Sequence, residues 1–92
     1  MTSLQAIPRM NPDFTVRDVG EEMIFISSKG DMLHTLDSVG AFIWRNVDGK
    51  RSVKDILHIL LESYDVVVAI AEKDLLRFFD ELEQKNIVQM SE

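Results

Sequence analysis

The sequence contains no cysteine, and that one absence excludes disulfides, thiolate zinc sites, iron–sulfur ligation and a cysteine nucleophile together. Histidine is almost as scarce: of the two present, His34 falls in a strand-like stretch and His58 on the polar side of a helical one. Neither has a second histidine at helical spacing or a cluster of carboxylates beside it, so no metal or general-base role is expected for either. There is no phosphate-binding glycine loop and no Gly-x-Ser-x-Gly elbow. Enzyme activity and a bound cofactor are therefore not expected. No apolar run approaches the ~18–20 residues that span a bilayer. The N-terminus lacks the apolar core of a signal peptide, so a cytoplasmic location is expected. Basic residues are also in short supply. Ten Lys and Arg against sixteen Asp and Glu give a net charge of −6, which repels a phosphate backbone and argues against nucleic acid as the main partner.

What is present belongs to an ordinary globular chain. The composition is 46% hydrophobic and 28% charged, with mean hydropathy near zero, unlike a disordered segment. A chain of 92 residues makes one domain and buries ~60–65% of the surface it exposes when unfolded, enough for one core but not for a deep cavity. Residues 1–7 are expected to be a disordered lead and residues 8–90 the domain. Pro8 and Pro12 keep Ile7 to Asp13 out of helix, so this segment should approach the fold extended.

Three strands follow. Phe14 to Asp18 alternates apolar with polar, Met23 to Ser28 is β-branched and aromatic, and Met32 to Leu36 is short. The turns between them are too short for crossovers, which predicts an antiparallel three-stranded meander with the third strand at one edge. The stretch from Leu36 to Gly49 comes next and holds the only Trp. Asp37 or Ser38 can cap a short helix there, with Val39, Phe42, Ile43 and Val47 at helical spacing and Trp44 widening the stripe. Gly40 costs this helix roughly 1 kcal/mol against alanine, which implies that another backbone or a bulky side chain passes close.

Ser52 and Asp55 form a near capping box for a second amphipathic helix through Val53, Ile56, Leu57, Leu60, Leu61 and Tyr64. Val66 to Ile70 reads equally as an extended connector or as the entry to a third helix. From about Glu72 that helix is clear, with Leu75, Phe78, Phe79 and Leu82 on one face and Asn86 placed to end it at positive φ. Ile87 to Met90 is a short apolar segment packed back on the core. The fold class is α+β and winged-helix-like: an N-terminal three-stranded antiparallel sheet followed by three helices. Winged helices usually bind DNA. From Ala71 to Lys85, however, five acids face three bases, a net of −2. A DNA-binding regulator remains the alternative reading, and a dimerisation module is a third, since an edge strand or Val66-Val67-Val68 can pair with a second copy to give a homodimer.

An ordered set of short motifs carries a more specific signal. Leu36-Asp37, Gly40-Ala41, Ile43-Trp44, Asp48-Gly49, Ser52-Val53, Tyr64-Asp65-Val66, and Asp74 with Phe78 four residues on are similar to the pattern of the PqqD family. The likeness extends loosely over residues 8–90. Asp37 replaces the family's usual Asn and keeps a helix cap, and Asn86 replaces a frequent Gly and keeps tolerance of positive φ. The resemblance implies a domain that binds the leader of a ribosomally made precursor peptide and presents it to a modifying enzyme, a radical SAM protein in the pathway that makes the PQQ cofactor. The leader would add as a strand beside the third strand, along Asp31, Met32, Leu33, His34, Thr35 and Leu36, and lie against the third helix, with Leu76, Arg77 and Asp80 as its wall. A free strand edge is what such β-augmentation uses.

Overall fold

The computed structural model describes residues 2–92. In chain order the elements are β1 (Ile7–Met10), β2 (Phe14–Asp18), β3 (Met23–Ser27), β4 (Leu33–Leu36), α1 (Ser38–Trp44), α2 (Val53–Ser63), α3 (Val68–Gln84) and β5 (Val88–Ser91). The expected meander is present as β2-β3-β4, antiparallel throughout and with β4 at its edge. A second, two-stranded sheet pairs β1 with β5. The Pro-rich lead-in is thus a strand rather than a mere approach: Pro8 lies opposite Met90, and proline is tolerated there because the strand is an edge.

The opening residues depart from the expectation of disorder. Met1 lies outside the described residues, but residues 2–7 are docked. The carbonyls of Ala6 and Leu4 accept hydrogen bonds from Val53 and Lys54 N–H, each at 2.9 Å. Those are the first two N–H groups of α2, which have no partner within the helix. Ser52 and Asp55 complete the end with a reciprocal capping box. The N-terminal segment is therefore held because a helix far along the chain needs its carbonyls, and Ala6 is buried in consequence.

The core has a sheet side and a helix side, and α1 joins them. Trp44 packs with Phe14, Met23, Phe25 and Leu36, its ring edge-on to Phe25 with centroids 4.7 Å apart. Ile43, one position earlier and so about 100° round the helix, packs instead with Val53, Ile56, Leu60 and Phe79. Val39 does not share this burial: it is exposed because it sits in the first turn, where α1 borders an open groove. Asp37 caps α1 by accepting from Gly40 N–H at 2.8 Å. A β-carbon on Gly40 would lie 3.2 Å from Leu36 Cβ and 3.3 Å from Phe78 Cε1, so the expected close approach is there. α3 begins at Val68, with no side-chain cap, and residues 65–67 are the extended connector. Asn86 has φ of 63°, the helix-ending conformation expected of it.

Candidate functional site

An apolar groove runs between β4 and α3. Along β4 the side chains alternate: Leu36 is buried and His34 half-buried toward α3, while Leu33 and Thr35 are exposed. The backbone alternates as well. Ser27 N–H donates to Met32 carbonyl across the β3–β4 turn at 3.1 Å, which makes that pair hydrogen-bonded. By the antiparallel pattern, the Phe25–His34 and Met23–Leu36 pairs then exchange ladder bonds too. The N–H and C=O groups of Leu33 and Thr35 point the other way, to the unpaired edge. Two residues with one donor and one acceptor each leave four backbone groups open.

Facing this edge, α3 presents Ile70, Asp74, Phe78 and Glu81, a spacing that returns to one side of a helix. Val39 and Gly40 of α1 and the connector residues Tyr64 and Val66 close the upper end, and the groove holds about 490 Å³. The Tyr64 ring is braced edge-on against Phe42, centroids 5.3 Å apart. At the lower end Lys85 Nζ stands 3.0 Å from His34 Nδ1 and 3.5 Å from Glu81 Oε1. An ammonium can only donate, so Nδ1 accepts and the imidazole is neutral, with its proton on Nε2. The His34 pKa is accordingly lowered from 6.5, first by burial and then by the Lys85 charge, with Glu81 opposing.

The residues expected to form the site are only partly brought together. His34, Thr35 and Leu36 line the groove. Leu36 does so as a core residue, 4% exposed, so it supplies floor rather than a contact that can be withdrawn. Asp31 turns back into the β3–β4 loop, where it accepts from Ser27 Oγ at 2.8 Å. Met32 and Leu33 border a smaller hollow below, with Lys85 and Ile87. Leu76, Arg77 and Asp80 do not line the groove: they border a neighbouring hollow on α3 with Lys73, Glu81 and Gln84. Successive helix residues are about 100° apart, so Leu76 and Asp80 sit roughly 200° from Asp74 and Phe78 respectively. Asp80 has a different task, accepting from Thr2 N–H at 2.7 Å. Its pKa is lowered, first by the Thr2 hydroxyl beside it and, more weakly, by that Thr2 N–H, with burial opposing.

Ile70, Asp74, Phe78 and Glu81 line the groove from α3, and features of the sequence bear on their place there. Gly40 implies a close neighbour, and Asp74 and Phe78 belong to the ordered motif set. Among the described residues no three His, Asp or Glu side chains gather as metal ligands, and no helix is long and apolar enough to cross a membrane. The arrangement offers hydrogen-bonding groups in a row beside an apolar trough. Its chemistry is that of holding an extended chain.

Fold and groove together define a small winged-helix-like α+β domain whose sheet edge opens onto a helix. Residues 22–88 match the family described as Coenzyme PQQ synthesis protein D (PqqD). The chain belongs to the PqqD family. Two solved structures share its fold. One, TbiB1 in complex with the TbiA(beta) leader peptide, is 20% identical, with TM-score 0.82 over 88% of this chain and 94% of the other. A second, lasso peptide synthetase B1 complexed with the leader peptide, is also 20% identical, with TM-score 0.80 over 89% and 96%. No curated protein matches the chain.

Proposed function

We propose that this chain is a non-catalytic adaptor that binds the leader segment of a ribosomally made precursor peptide and presents it to a peptide-modifying enzyme, such as a radical SAM protein. The leader adds as a strand at the β4 edge and rests against α3. The observation that carries this reading is the pair of open backbone stations at Leu33 and Thr35 directly beside an apolar groove. Main-chain hydrogen bonds supply affinity in such strand addition, and pockets for alternate side chains supply selectivity. Membership of the PqqD family and the leader complexes of the two fold relatives support it. The groove wall also carries Asp74 and Glu81 with no Lys or Arg, which suits a peptide and repels a nucleic-acid backbone.

In this reading the backbone pairing falls on Leu33 and Thr35 within the Asp31 to Leu36 stretch, and the helix wall is Ile70, Asp74, Phe78 and Glu81. The test is an NMR titration with the leader of a precursor encoded beside this gene. Amide shifts at Leu33, Thr35, Ile70 and Phe78 are expected. Shifts confined to the Leu76, Arg77 and Asp80 side, or to the β1–β5 sheet, would overturn the reading.

A further inference from the structure

We infer that the segment accepted by this groove carries a Lys or Arg facing Asp74, flanked two positions to either side by apolar residues. The inference rests on the docking reading above and adds to it the chemical pattern of the ligand.

Charge is distributed unevenly round the groove. Three carboxylates line it, Asp37, Asp74 and Glu81, and no Lys or Arg does. Two of the three are already engaged: Asp37 caps α1 through Gly40 N–H, and Glu81 pairs with Lys85. Asp74 is exposed, and the ion pairs among the described residues are Arg45 with Asp18, Arg51 with Asp48 and Lys85 with Glu81. It therefore meets an incoming peptide as a free negative charge. Lys73 and Arg77 stand beside it on α3 but line a neighbouring hollow and make no ion pair with it. Along the groove its neighbours, Ile70 one turn before and Phe78 one turn after, are apolar, and walls of that kind concentrate the field of a charge within a cleft.

The spacing of these three residues sets the pattern. Four helical residues rise about 6 Å, and two strand residues rise about 6.6 Å. A strand lying along α3 therefore brings successive inward-facing side chains level with Ile70, Asp74 and Phe78 in turn. Ile70 is 58% exposed and Val39, which borders the same groove, is 43% exposed. Both are apolar surface that a branched side chain would cover. The ligand pattern is apolar, any, basic, any, apolar.

The test uses the acetylated, amidated probe peptide Ser-Thr-Val-Thr-Lys-Thr-Leu-Ser-Thr and a counterpart with Glu in place of Lys, each titrated into the isotope-labelled protein and followed at the Leu33 and Thr35 amides. The Lys probe is expected to bind about three- to tenfold more tightly. Asp74→Lys, at an exposed position, inverts the order. Glu22→Lys gives the protein the same net charge at the exposed β2–β3 turn and leaves the order unchanged. Equal affinities, or a Lys preference that survives Asp74→Lys, overturn the inference. If neither probe shifts these amides while a precursor leader does, the pattern is wrong and the docking reading stands. If the leader also fails, both fall.

Discussion

Thr35 and His34 are neighbours on β4, yet their backbones face opposite ways, and the difference has a measurable consequence. His34 N–H and C=O are committed to Phe25 in the ladder, whereas those of Thr35 point to open edge. Proline lacks the N–H and is tolerated in strands only where that group faces solvent. Thr35→Pro should therefore leave the thermal midpoint nearly unchanged while weakening leader binding by about tenfold, the worth of a hydrogen bond or slightly more. His34→Pro should unfold the meander. Calorimetry and titration of both variants separate the two effects. His34 also has a pH signature. Its folded pKa lies below 6.5, so between that value and 6.5 the unfolded chain binds more protons. The contribution of neutral His34 to stability is full above 6.5 and is lost as pH falls through the folded pKa. Below it, a protonated imidazole faces the Lys85 ammonium at 3.0 Å. In an NMR titration the His34 ring should change state below pH 6.5, and Lys85→Met should move that midpoint upward. The sequence made β4 legible as a strand through its alternation. It did not reveal which backbone groups stay open, because that depends on the Ser27–Met32 bond and hence on the conformation of the turn.

At the scale of elements, the helices were readable from periodicity and caps, since both signals lie within a few residues of each other. The capping box at Ser52 and Asp55 and the terminating conformation of Asn86 are both present. Which residues of α3 line the groove has a physical cause. The helix buries Ala71, Leu75, Phe79 and Leu82, and that burial turns Asp74 and Phe78 rather than Leu76 and Asp80 to the groove. Gly40 links α1 to this geometry. A β-carbon there meets Leu36 Cβ, Asp37 Oδ1 and Phe78 Cε1 at 3.2–3.3 Å, and Leu36 Cβ is fixed to its strand. Gly40→Ala should gain about 1 kcal/mol of helix propensity and lose more to crowding, a net destabilisation of about 1 kcal/mol. Denaturant unfolding measures the loss, and the Phe78 ring resonances should shift with it.

Over the whole molecule, what escaped the sequence was contact between distant segments. The docking of residues 2–7 on α2 and the pairing of β1 with β5 join positions about 45 to 85 apart, and no local pattern encodes them. The meander was legible because its strands are adjacent in the chain. The same difference in separation orders the events of folding. The β2-β3-β4 hairpins close loops of only a few residues, whereas β1 reaches β5 only after everything between them has condensed, since closure entropy must be met before a remote pairing rewards it. The two-stranded sheet is then a clasp expected to form late, after the transition state. Val88→Ala, which opens space beside Met10 in that clasp, should speed unfolding by nearly its full destabilisation and leave the refolding rate almost unchanged. Stopped-flow measurements that show slowed refolding instead would place the clasp in the nucleus. The ladder that joins the two ends of the chain thus acts as a brake on unfolding. It sets how long the folded domain, with its groove intact, persists once formed, while the speed of its formation is left to the hairpins and helices in between.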